Sequence, residues 1–259
     1  MTPWLVFVFG AVVGSFLNVC IHRMPRDLSI VMPRSFCPHC KVKIPWYENI
    51  PLVSYFLLRG RCFRCRRPIS IRYFIVELVT ALLAWFFWRQ YGLSVKFAAS
   101  VLFFAMIIVA TLTDFETGLI PDAITVPGMI AGLALSVTGN GHFPQDLWYQ
   151  KFLASGTGLL AGGGILILVG WLGKLVFRKD SMGGGDVKLL AMIGAFVGLP
   201  KVGLVFLLAP FPALPFALWQ RFVKKEETIP FGPFLALAGA LVFAEGDAVL
   251  KFLTKLYGV

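Results

Sequence analysis

Uncharged apolar runs long enough to cross a bilayer restrict this chain more than any other feature. A helix needs about 20 residues to cross the hydrocarbon core, within a range of about 17 to 25. Uncharged stretches of that order cover residues 4–21, 97–113, 123–141, 152–173, 202–220 and 228–244. Two weaker ones cover residues 73–88, which contain Glu77, and residues 189–200, which are short unless Val187 and Lys188 belong to them. The reading is an all-α polytopic membrane protein with about eight transmembrane helices. Hydrophobic residues make up 58% of the 259 and charged residues only 14%, which argues against a soluble globular domain. No basic segment precedes the first run, so it is expected to be a membrane helix rather than a signal peptide.

The formal net charge is +11, a value that raises the question of nucleic acid. Position answers it. Residues 22–72 carry eleven Lys and Arg against only Asp27 and Glu48, so nearly all the excess lies in one polar segment. Short cytoplasmic loops are the basic ones. A cytoplasmic insert between helices 1 and 2 then follows, with the N-terminus outside and residues 114–122, 174–188 and 221–227 also cytoplasmic. Residues 89–96, 142–151 and 200–201 fall outside, and Lys251 and Lys255 are accommodated by snorkelling. The expected division is a first transmembrane helix at 1–21, an insert at 22–72 and a helical membrane body at 73–259. The basic balance reads as topology next to a lipid surface, and no nucleic-acid partner is expected.

Four of the five cysteines form two C-x-x-C pairs, Cys37 with Cys40 and Cys62 with Cys65, with 21 residues between them. Each pair can bring two thiolates to one ion, and four complete the tetrahedral sulfur shell that Zn²⁺ prefers. Two disulfides are the alternative; they need an oxidising compartment, and the charge bias puts the segment in the reducing cytosol. A four-thiolate site leaves no open position for a catalytic water, so its expected role is structural. His39 reads as a surface residue and Cys20 as a packing residue in the first run.

Acids beside apolar runs are the other informative residues, because charge near a bilayer is costly. Asp114, Glu116 and Asp122 follow a long run, and Gly183, Gly184, Gly185 and Asp186 precede another, in a segment that starts at Ser181. Two carboxylates from separate helix ends on one membrane face can share a proton and activate a water. Ordinary helix-end acids are the competing explanation, with Asp186 favoured at the positive end of its helix. Glu116 reads as solvated, and Glu77 as a bundle-facing hydrogen-bonded or ion-paired group. Gly156, Gly158, Gly162, Gly163 and Gly164 suit close helix contact, and Pro210, Pro212 and Pro215 suit a bent helix.

Several segments resemble the bacterial type IV prepilin peptidases. They are Gly14 to Pro25, the two cysteine pairs with Pro45 to Pro51 and Gly60 to Cys62 between them, Asp114 to Asp122, and Gly183 to Lys188, in the family's order. Phe74 departs from the pattern, where a Pro is expected. The resemblance implies a membrane aspartic protease of the G-x-G-D type over 73–259, with Asp114 and Asp186 as the catalytic pair and Asp122 outside catalysis. It implies prepilin or pseudopilin precursors as substrates, cut after a Gly at the cytoplasmic face of the bacterial inner membrane. It also implies N-methylation of the new terminus from S-adenosylmethionine, tied to the insert with zinc at Cys37, Cys40, Cys62 and Cys65. Tyr47, Glu48, Asn49 and Gly60 are candidate helpers in that second step, each with a structural role as the alternative. A transporter with a cytosolic zinc module competes, and predicts midplane carboxylates and an internal repeat; no convincing repeat is visible. A membrane-tethered zinc ribbon for nucleic acid would leave the helices without a task.

Overall fold

The computed structural model describes residues 2–138, 143, 145, 147–178, 182–224 and 230–257. Ser181 and parts of the loops expected at 142–151, 174–188 and 221–227 lie outside the described residues, as do the ends of the runs at 123–141 and 228–244. Among the described residues there are ten α-helices and no strand beyond two isolated bridges.

The chain divides into two compact units, Met1–Val109 and Ala110–Val259, with the division inside one helix. The first unit holds α1 (Pro3–Arg23), the five-residue α2 (Val53–Leu57), α3 (Ile71–Tyr91) and most of α4 (Val95–Thr117). The second holds the end of α4, then α5 (Asp122–Ser136), α6 (Trp148–Phe177), α7 (Gly184–Val197), α8 (Leu199–Leu208), α9 (Pro210–Trp219) and α10 (Gly232–Tyr257).

In the first unit α1 packs on α3 through two glycines four residues apart. A Cβ on Gly10 would meet the Ala81 Cα at 2.7 Å, and one on Gly14 the Glu77 Cα at 2.7 Å. This is the small-xxx-small device that lets membrane helices approach closely. The two cysteine segments between these helices repeat one geometry. Cys37 N–H donates to Val42 and Lys41 N–H to Cys37; Cys62 N–H donates to Arg67 and Arg66 N–H to Cys62, all at 2.9–3.0 Å. Each ends on a left-handed residue, Lys41 or Arg66, at φ 58. Phe74 packs its ring on Tyr55 and Phe56, and α3 passes through that position unbroken.

In the second unit α7 is the central element. Its residues from Leu189 to Val197 are all buried, enclosed by α5, α6, α8 and α10. An all-round apolar helix belongs in such a place. The α6–α7 contact is tightest at Gly158 and Gly194, where a Cβ on either would collide with the other's carbonyl oxygen, and Ser155 donates to the Ala195 carbonyl at 2.6 Å. Gly162 meets Leu190 in the same way, whereas Gly164 faces open space and needs another explanation than packing. Pro210 opens α9 directly after α8, in the stretch where the proline cluster is expected to bend a helix.

Among the described residues six helical stretches are long and apolar enough to cross a membrane: Pro3–Arg26, Ile71–Tyr91, Val95–Thr117, Trp148–Val176, Leu199–Val223 and Gly232–Lys251. The count of about eight therefore exceeds what length supports. The other two expected runs form α5, with 15 residues, and α7, with 14. At ~1.5 Å per residue these reach only about 20 Å, short of a ~30 Å hydrocarbon core. Outer faces carry large apolar side chains in the open, such as Leu160 at 72%, Ile130 at 62% and Ile167 at 61% exposure, as lipid contact requires.

Candidate active site

The second unit assembles its acids from three helix ends. Asp114 lies in the last turn of α4, buried, and the helix stops three residues later, where Gly118 turns to φ 66 and donates to the Asp114 carbonyl at 2.9 Å. A carboxylate is disfavoured at a helix C-terminus. The compensation comes from α10, whose first residue, Gly232, presents its backbone N–H to the Asp114 carboxylate. Its Oδ2 is buried and accepts no hydrogen bond among the described residues. Asp186 is the third residue of α7 and takes the N–H of the capping residue Gly183, the carboxylate half of a capping box. The Asp186 carboxylate lies within the direct field of Asp114.

Close backbone approach makes this meeting possible. A Cβ on Gly232 would fall 2.7 Å from Asp114 Oδ2 and 2.8 Å from Ile120 Cδ1, and one on Gly185 would fall 3.1 Å from Ile120 Cβ. Ile120 is thus a shared wedge between the residue beside Asp186 and the residue against Asp114. Gly184 faces open space, so two of the three glycines before Asp186 carry the contact, Gly183 against the carboxylate itself and Gly185 against Ile120. Gly232 and Ile120 were not identified from sequence as site residues. A Gly-Pro pair opening an apolar run was the available signal for Gly232, since Pro is favoured in the first helical turn. Gly232→Ala is expected to displace the Asp114 carboxylate and lower the rate of any chemistry at the pair by about 10²-fold, the usual effect of a misplacement near 1 Å. Initial rates, with a thermal melt of the variant as a folding check, would measure it.

Asp122 stands apart from the pair. Both its oxygens accept from Lys188 Nζ at 2.7 Å, in an ion pair 62% exposed at Asp122 and 43% at Lys188. The pair ties the start of α5 to α7, two residues beyond Asp186. An exposed pair contributes about 0–1 kcal/mol. Asp122→Asn is accordingly expected to lower thermal stability by under about 1 kcal/mol and to leave turnover within about fivefold. A melting curve and a rate measured side by side would show it, and a larger loss would mean that Asp122 takes part in the chemistry. Glu116, next to the pair in sequence, is exposed as expected.

In the first unit the four cysteines converge. Their sulfur atoms lie within 4.8 Å of one another, with Cys37 and Cys65 at 3.8 Å. Four sulfurs at ~2.3 Å around a tetrahedral ion would stand about 3.8 Å apart, so the group fits a metal. It is one cluster of free thiols rather than two bonded pairs. Burial opposes ionisation of Cys37, but N–H groups of Cys40 and His39 and the neighbouring thiols outweigh it and pull that thiol down to about 7. At Cys65 the Arg67 N–H favours the thiolate, yet burial and the three neighbouring sulfurs push it up to about 11. Crowded thiols lose their first proton easily and their last with difficulty, and a cation removes that penalty.

The remaining candidates separate. Cys20 is buried in α1, and His39 bonds Arg67 at 3.1 Å on the surface. Glu77 is buried and accepts the Leu52 N–H at 2.7 Å, holding that residue at φ 63. Glu48 and Asn49 line a cavity in this unit, whereas Tyr47 is exposed beside Trp46 and Gly60 is covered by the Tyr55 ring.

These features define a multi-pass helical membrane protein that pairs two aspartates at helix ends and carries a four-thiol cluster in a separate unit. The chain belongs to the type IV leader peptidase family: residues 101–218 match that family, and residues 8–91 match the bacterial peptidase A24 N-terminal domain. It is 35% identical to the prepilin leader peptidase/N-methyltransferase of Burkholderia pseudomallei strain 1026b, over 96% of this chain and 85% of that protein. It is 34% identical to the Aeromonas hydrophila protein of the same name, over 96% and 94%. The Neisseria gonorrhoeae protein of that name is also 34% identical, over 95% and 92%. No solved structure matches the chain.

Proposed function

We propose that this chain is a bifunctional processing enzyme that removes the leader from type IV prepilins or pseudopilins and then methylates the new N-terminus. Family membership and the names of its relatives support both activities. The observation that carries the first is the meeting of Asp114 and Asp186 from separate helix ends around Ile120 and Gly232. The transporter reading has no support in those matches.

For cleavage, one aspartate takes a proton from water as the water oxygen bonds to the carbonyl carbon of the scissile peptide, and its protonated partner donates to the carbonyl oxygen. Collapse of the tetrahedral species, with a proton passed to the amide nitrogen, breaks the C–N bond and leaves the pair ready to exchange roles. The Gly232 N–H at the start of α10 and the N-terminus of α7 favour the ionised member of the pair. No metal takes part in this step. Zn²⁺ held by Cys37, Cys40, Cys62 and Cys65 is a structural staple for the segment tied to methylation, and S-adenosylmethionine supplies the methyl group.

The topology that suits this chemistry has α5 and α7 as two short crossings that complete eight, with the N-terminus outside. The insert at 22–72 and both aspartates then face the cytoplasm of a bacterial inner membrane, where a basic leader would also lie. The assay is incubation of purified protein with a prepilin in detergent, read by mass spectrometry. Loss of the leader mass, followed by a gain of one methyl group when S-adenosylmethionine is present, is the expected result; an unshortened precursor would overturn the reading.

A further inference from the structure

A cavity of about 340 Å³ opens in the Met1–Val109 unit, between the cysteine segments and the facing sides of α1 and α3. That volume is at the small end of ligand pockets, which run from about 300 to 1,000 Å³. Phe36, Tyr55 and Tyr73 give it aromatic walls, and Arg67 and Glu77 give it charge of both signs.

Two polar groups in its lining are buried and incompletely matched. Asn18 is 1% exposed, and its Nδ2 donates to the carbonyls of Gly14 and Tyr73 at 3.3 and 3.1 Å. Those two bonds fix the amide's orientation and leave Oδ1 buried with no donor. Glu77 is 8% exposed and takes hydrogen bonds from the Leu52 N–H and from Ser15, yet no Lys, Arg or His among the described residues forms an ion pair with it. Holding Leu52 explains the hydrogen bond, but a neutral Gln would serve that purpose equally. Ionising a carboxyl buried in this way is costly without a cation beside it, so a cationic ligand is what would stabilise its charged form. A carbonyl oxygen lacking a donor and a carboxylate lacking a cation have one common complement. It is a primary ammonium group, which supplies three N–H donors together with a positive charge.

We propose that this cavity binds S-adenosylmethionine, with Asn18 Oδ1 and the Glu77 carboxylate receiving its ammonium group. Arg67, whose Nη1 bonds His39, lines the cavity as a cation for its carboxylate, and the aromatic walls suit a flat adenine. Sulfonium and ammonium give this donor two positive centres, which suits a cavity with an unpaired carboxylate. The inference rests on the methyltransferase reading above. The new N-terminal amine of a cleaved precursor offers the same ammonium chemistry, so the test separates the two sources.

The test is calorimetric titration of S-adenosylmethionine into the purified full-length protein in detergent, compared with Glu77→Gln and Asn18→Ser. Zinc content and leader cleavage report whether each variant is folded; should one variant lose its zinc, the other decides. Weakening of donor binding by about tenfold or more in a folded variant is the expected result, since hydrogen bonds to charged groups are of that size. Unchanged donor binding overturns the inference. If methylation then falls through a raised KM for cleaved peptide, the ammonium recognised is the peptide's and the donor assignment is wrong. Failure of the unsubstituted protein both to bind the donor and to methylate would remove the methyltransferase reading itself, and this inference with it.

Discussion

Leader cleavage by Asp114→Asn and by Asp186→Asn is expected to fall by about 10²–10⁴-fold each, the range that a positioned acid or base contributes. Asn preserves shape and most hydrogen bonding, so the loss isolates the proton. The geometry adds a sharper expectation. Asp114 is held by the start of α10 and Asp186 by the capping residue of α7, and Asp186 lies in the field of Asp114. Groups that act as a unit are grossly non-additive. The double variant should therefore fall no further than the weaker single variant, measured as single-turnover release of leader with a thermal melt confirming the fold. Two independent losses that multiply would mean that the acids act in separate steps, and normal cleavage in either single variant would remove the aspartic mechanism.

Much of this arrangement could be read along the chain because its signals are local. Apolar runs with charged ends marked the helices, and paired cysteines at matching spacing marked the cluster. Length supports six of the eight expected crossings among the described residues, and α5 and α7 fall short of it for a physical reason. Hydropathy does not separate a short helix surrounded by lipid from one surrounded by protein. α7 is apolar on every side because α5, α6, α8 and α10 enclose it, so its 14 residues need not match the bilayer. The residues that place the acids were hidden for a different reason. Gly232 stands more than a hundred positions beyond Asp114, and its role depends on a missing side chain, which leaves no periodicity or charge to notice. Gly10 and Gly14 were more accessible, since a G-x-x-x-G spacing inside an apolar run is itself a signal of close helix contact. Asn18 and Glu77 become informative together only once Gly14 brings α1 against α3.

Removal of one thiol from the cysteine cluster should have the second large effect, and it should be selective. Between residues 24 and 70 only Cys37 and Ser54 are buried, so this segment has almost no core of its own. Two isolated bridges, two turns of 3-10 helix and the five-residue α2 cannot hold such a stretch together in water. Structural zinc contributes about 10–16 kcal/mol in small domains of this kind, far more than any other contact available here. Cys37→Ser removes the most buried of the four sulfurs, the one at 3.8 Å from Cys65. Bound zinc, measured by plasma mass spectrometry, is expected to drop from about one ion per chain to a small fraction of that. The segment should then become open to limited proteolysis, and methylation should be lost along with the cavity walls that Phe36 and Arg67 supply. Cleavage should be much less affected, because Asp114, Ile120, Asp186 and Gly232 all belong to the other unit. Zinc content unchanged in Cys37→Ser would rule out the four-thiolate site. Loss of cleavage equal to the loss of methylation would instead show that the insert also receives the precursor before the peptide bond is cut.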